Sequence, residues 1–170
     1  IITITTFIVL RNFQLNIYYS FIYSLFFSVL AYPVSGTPFV DLHSAFFSLL
    51  AIYILILAIK NEKNYHWFLL PVLFGFAFLS KQVPASYIII CVTLILIYYS
   101  LVNKKYQWIK YSFLGSIVFI ISVLTLGNIQ GIEIYSFLEQ YIFYPQAIGG
   151  QRYSNLDINF QTIVSHFKFI

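Results

Sequence analysis

From about residue 13 to residue 126 the sequence repeats one pattern: an apolar run, then a short polar connection, then another apolar run. Most runs approach the ~18–20 residues that carry a helix across a ~30 Å hydrocarbon core. Within lipid a backbone must satisfy its own hydrogen bonds, so the segments are expected to be helices. Composition closes off the alternative. Of 170 residues, 61% are hydrophobic and only 8% are charged, against ~25% charged in soluble domains. The surface of a water-soluble fold cannot be assembled from this supply. The fold class is therefore all-α, a polytopic transmembrane helical bundle.

In chain order, residues 1–10 read as the tail of one helix, followed by apolar segments at 13–32, 42–59, 67–80, about 84–102 and 111–126, about six spans in all. The fourth is short, so some flanking residues on either side are expected at membrane depth or in the interface. Pro71 within it removes one backbone donor, and neighbouring groups are expected to satisfy the freed carbonyl. Pro84 suits the first turn of the next helix. Residues 1–127 form the transmembrane region, 128–161 an outer loop, and 162–170 the start of a further span. Inside that loop Ile134, Phe137, Leu138, Tyr141 and Ile142 recur at helical spacing opposite Glu133, Ser136 and Gln140, which predicts a short amphipathic helix.

The sequence contains no methionine and both begins and ends in isoleucine, and is read as an internal stretch of a longer chain. Its formal charge of +4 does not point to nucleic acid, because the basic residues lie in loops between helices. Arg11, Lys60, Lys63, Lys104, Lys105 and Lys110 all fall in alternate connections. By the positive-inside rule that face is cytoplasmic, and the chain is a multi-pass protein of the cytoplasmic (inner) membrane. The opposite face then receives 33–41, 81–84 and everything after Gly127. Cys91, the one cysteine, excludes a disulfide framework and a cysteine metal site.

Ionisable groups at membrane depth are costly and mark functional sites. Two are prominent: Asp41, where the third segment begins, and Lys81, where the fourth ends. A helical hairpin places them on the same face of the bilayer. The structural alternative is that each complements a helix dipole, or that they only pair with one another. His43 lies two residues beyond Asp41, which in a continuing helix points it about 200° away; an interfacial histidine is favoured over a metal ligand. Arg152 follows two glycines in the outer loop, where a guanidinium can grip a phosphate through paired hydrogen bonds. No phosphate-binding loop, HExxH or GxSxG motif is present.

A glycine-proline-aromatic loop ending in Asp41, a short lysine-rich turn, and a helix ending "GFAFLSKQVP" resemble the GT-C superfamily of polytopic glycosyltransferases. The nearest likeness is the branch of protein O-mannosyltransferases and lipid A aminoarabinose transferases. There the helix closes on Gly-Leu-x-x-Leu-Thr-Lys-Gly; here Gly75, Phe76, Phe78, Leu79, Ser80 and Lys81 fill those places, and Gln82 replaces the final glycine. "FLEQYIFYPQAIGGQRY" likewise resembles the family's outer amphipathic stretch, and the likeness covers about residues 15–155.

The resemblance implies transfer of a sugar from a polyprenyl-phosphate donor to a glycan, lipid or protein acceptor on the outer face. It implies that Asp41 faces the site as an acidic group, orienting the acceptor or a divalent metal, and that Lys81 and Arg152 hold the carrier phosphate, with Tyr153 and Gln82 beside them. The family's main catalytic acid belongs to a first outer loop expected upstream of Ile1, so no general base is assigned. Two other classes compete: a secondary transporter, against which the edge position of the charges and the lack of a repeat weigh, and a non-catalytic membrane subunit of an envelope assembly.

Overall fold

The computed structural model describes residues 1–30 and 40–148. The described residues form helices joined by short turns, without strands. Contacts divide the chain into two units, Ile1–Ser122 and Val123–Ile170.

The first unit is built from α1 (Ile2–Asn12), α2 (Ile17–Leu30), α3 (Val40–Asn61), α4 (Asn64–Ser80), α5 (Gln82–Asn103) and most of α6 (Gln107–Ile129). Its centre is the α3–α4 hairpin. On α3 the buried side chains Ser44, Ser48, Ala51, Leu55 and Ala58 recur at alternating steps of four and three, and on α4 Trp67, Leu70, Phe74 and Ala77 do the same. That spacing keeps one seam facing the partner helix along its whole length. The fully buried members are small: Ala51, Ala58, Ala77 and Ser44 are each 0% exposed. Small residues let apolar helices approach closely where water supplies no driving force between them. Val92 and Leu96 of α5 complete the core cluster, and Thr6 on α1 donates to the Tyr53 hydroxyl of α3 at 3.3 Å.

Pro71 lies inside α4 and cannot donate to the carbonyl of Trp67, four residues back. The Ser112 hydroxyl of α6 donates to that carbonyl instead, at 3.1 Å. Gly115, one turn further along α6, makes this approach feasible: a Cβ there would lie 2.2 Å from the Phe68 carbonyl oxygen and 3.0 Å from Pro71 Cγ. Proline, serine and glycine together fix α6 on α4, and the expected rescue of the freed carbonyl has a named donor.

Outward, the unit is apolar. Phe113, Leu114, Ile117, Val118, Ile120 and Ile121 of α6 are all exposed, as are Leu94, Ile95 and Ile97 of α5. A continuous apolar exterior on this scale marks a surface meant for lipid or for partner proteins. Three helices, α3, α5 and α6, are long and apolar enough to cross a membrane. The expectation of about six spans is corrected on this point. As described, α1, α2 and α4 have 11, 14 and 17 residues, and at ~1.5 Å per residue α4 covers only ~25 Å. Apolar composition reads the same in a full span and in a shorter helix packed against one.

Polar residues gather at one end of the unit, where the C-terminal ends of α1, α3 and α5 meet the N-terminal ends of α4 and α6. Lys60 donates to the Asn12 carbonyl, Asn64 to the Tyr111 hydroxyl at 2.9 Å, and Gln107 to the Asn64 side chain at 3.1 Å. Lys105 forms an ion pair with Glu62. The three tight turns here each carry a non-glycine residue with positive φ: Gln14 at 62°, Glu62 at 51° and Lys104 at 54°.

In the second unit α6 ends on a glycine cap. Gly131, with φ 73°, donates to the Asn128 carbonyl, and Ile132 donates to that of Gly127 at 2.9 Å, the paired bonds of a Schellman ending. The short helix expected near 134–142 forms as α7 (Ile134–Leu138), followed by a π-helical turn, Glu139–Phe143. The Phe137 and Tyr141 rings stack at 4.8 Å.

Candidate functional site

Asp41 occupies the first turn of α3, where a carboxylate meets the positive end of the helix dipole. Lys81 is the single extended residue between α4 and α5, with φ −156° and ψ 125°. Its amide donates to the Ala77 carbonyl at 3.0 Å and closes α4. Its own carbonyl would be left over at the break, and the buried Ser44 hydroxyl of α3 donates to it at 3.2 Å. That bond ties the α4–α5 junction to the first turns of α3. It brings the Lys81 ammonium into an ion pair with Asp41.

The hairpin therefore joins the two charged residues as their positions in the sequence suggest. The pair is accessible: the Lys81 side chain is 44% exposed and that of Asp41 60%. An ion pair this open contributes only ~0.2–1 kcal/mol to stability, so either partner can be drawn to a third group at small cost. An ammonium also has three donors, and the pair uses one.

Gln82 opens α5 beside Lys81, and its carbonyl accepts from Ser86 at 2.7 Å. Pro84 sits in the same first turn, where a missing amide donor costs nothing. His43 is helical, and with Val40 already in α3 the helix separates it from Asp41 as expected. Among the described residues no three His, Cys, Asp or Glu side chains come together. A divalent cation at Asp41 would find no set of three such ligands among them. Arg152 and Tyr153, and the glycine-proline loop at 36–38, lie outside the described residues.

A second feature lies between α4, α5 and α6: a cavity of about 400 Å³ walled by Leu70, Phe74, Val92, Leu96, Trp108 and Phe119, among others. Its hydroxyls are occupied. Thr93 donates to Ile89, Ser116 to Ser112, and Ser112 to Trp67. The wall that remains toward the cavity is mostly hydrocarbon.

No protein-family model, curated protein or solved structure matches this chain. Sequence reading missed Ser44 and Ser112. Serines at helical spacing in an apolar run were the available signal, though only the fold shows which carbonyl each one serves.

Proposed function

We propose that this chain is part of a membrane glycosyltransferase that takes a sugar from a polyprenyl-phosphate donor, with the Asp41–Lys81 corner as part of its site. The supporting observation is the ion pair at the α4–α5 break. It joins the lysine of the motif that resembles GT-C enzymes to the acidic residue that opens the preceding helix.

In this reading an acceptor hydroxyl attacks the anomeric carbon and gives its proton to the catalytic acid that the family resemblance places in another outer loop, while the bond from that carbon to the phosphate oxygen breaks and the polyprenyl phosphate leaves with the electron pair. Lys81 donates to the phosphate as its charge grows, and fixed donors at such a point contribute about 10²–10³ in rate. Asp41 holds the ammonium in place, and it faces the acceptor. Gln82, Arg152 and Tyr153 are the remaining candidates for gripping the carrier. The acceptor is a glycan, lipid or protein.

The basic end, with Lys60, Lys63, Lys104 and Lys105, faces the cytoplasm of an inner membrane in this reading, and the Asp41–Lys81 corner faces outward. The test is transfer of a labelled sugar by the complete protein in proteoliposomes. The reading expects product from a polyprenyl-phosphate sugar added to the face bearing Lys81, and none from a nucleotide sugar. Product from the nucleotide sugar alone would sink it.

A further inference from the structure

At the basic end a second cavity of about 310 Å³ opens between the α3–α4 and α5–α6 turns, lined by Glu62, Trp67, Tyr99, Lys104, Lys105 and Trp108. Its charge is unbalanced. Glu62 is engaged by Lys105, whereas Lys104 has no ion pair or hydrogen bond among the described residues. The pocket therefore holds one net positive charge beside aromatic rings, the setting in which basic pockets between membrane helices take anionic headgroups.

Trp108 lines this pocket and also the apolar cavity between α4, α5 and α6. Its indole donates to the Ser100 hydroxyl, which donates to the Leu96 carbonyl at 2.8 Å. The ring is thus held at the junction with its polar atom satisfied. On one side of it lies a cationic, partly polar pocket; on the other, a groove whose hydroxyls are all engaged by protein.

We infer that the two cavities form one site for a single anionic phospholipid, its phosphate at Lys104 and one acyl chain in the groove beyond Trp108. The match is chemical at both ends. A zwitterionic lipid brings a cation of its own to a pocket that already holds one in excess, and a soluble anion leaves the hydrocarbon groove unfilled. This site lies at the opposite end of α5 from Lys81 and does not rest on the proposed glycosyl transfer.

The chain contains two tryptophans, Trp67 and Trp108, and both line the headgroup pocket. Bromine on a lipid acyl chain quenches a tryptophan it touches, so the part of the full-length protein's quenching that is lost in the Trp108→Phe variant reports this site. Each protein is reconstituted in phosphatidylcholine vesicles with rising fractions of brominated phosphatidylglycerol or brominated phosphatidylcholine. The site predicts half-maximal quenching at about fivefold lower mole fraction for the anionic lipid, the factor that one lysine near an anionic headgroup supplies.

Lys104→Asn, which removes the charge but tolerates the left-handed backbone at this position, is expected to abolish the preference. Lys104→Arg is expected to keep it. Ser116→Phe, which fills the groove, is expected to lower the quenching reached by either lipid. Equal mole fractions for the two lipids in the unaltered protein overturn the inference. So does a preference that survives Lys104→Asn while the Lys104→Arg protein confirms that substitution at the turn is tolerated.

Discussion

Replacing Ser112 by alanine removes the hydroxyl bonded to the Trp67 carbonyl, which Pro71 has already deprived of its helical donor. Hydrogen bonds between membrane helices contribute ~0.6 kcal/mol on average and up to ~1.7. The Trp67 side chain is buried and water has poor access, so the expected loss lies in the upper half of that range. The reasoning makes a sharper claim about the double variant. In Pro71→Ala the new amide at position 71 supplies the bond to Trp67, so Ser112→Ala in that background is expected to cost close to nothing.

The assay is equilibrium unfolding in mixed micelles of the four proteins of the cycle. A coupling of about 1 kcal/mol is expected, the size of one interhelical hydrogen bond. If Ser112→Ala costs the same in the unaltered protein and in the Pro71→Ala background, the serine does not serve the proline's orphaned carbonyl and the argument fails.

Gly115→Ala drives a methyl group against the Phe68 backbone oxygen, which cannot move aside, and is expected to cost ~1–3 kcal/mol by overpacking. For Gly75→Ala the nearest atoms met belong to the Phe119 side chain rather than to backbone, so the same micelle unfolding assay is expected to show the smaller loss. Gln14 is exposed with φ 62°, and Gln14→Gly is expected to stabilise by about 0.5–1 kcal/mol, read as a raised unfolding midpoint. The hydrogen bond from Lys105 to Glu62 raises the lysine pKa. Its contribution is fully present below the ordinary lysine value of ~10.4 and is lost as pH rises through the raised folded value. The difference in thermal midpoint between the unaltered protein and Glu62→Gln is therefore expected to hold at pH ~8 and to shrink above pH ~10.5.

Much of this fold is written in local sequence. The lysine-rich turn 60–63 and the lone Lys81 mark where α3 and α4 end, and a hairpin between those marks leaves Asp41 and Lys81 little choice but to meet. Pro71 announces a carbonyl in need of a donor. What sequence cannot announce is the donor, because Ser112 is 45 residues away and looks like any other serine in an apolar helix. The number of spans is also hard to read from sequence, since α4 has the composition of a membrane helix in only 17 residues. The two cavities that share Trp108 are equally hidden, since their walls come from separate stretches of chain.

The most direct measurement on the central claim is sugar transfer by the complete protein carrying Lys81→Gln, paired with its unfolding midpoint. The account expects turnover to fall by about 10²-fold or more, while stability falls by no more than ~1 kcal/mol because the ion pair is exposed. Asp41→Asn is expected to lower turnover in the same direction. Undiminished transfer by the Lys81→Gln protein would contradict the account. A loss of fold matching the loss of turnover would do the same, and would leave the pair as a structural clasp between helices.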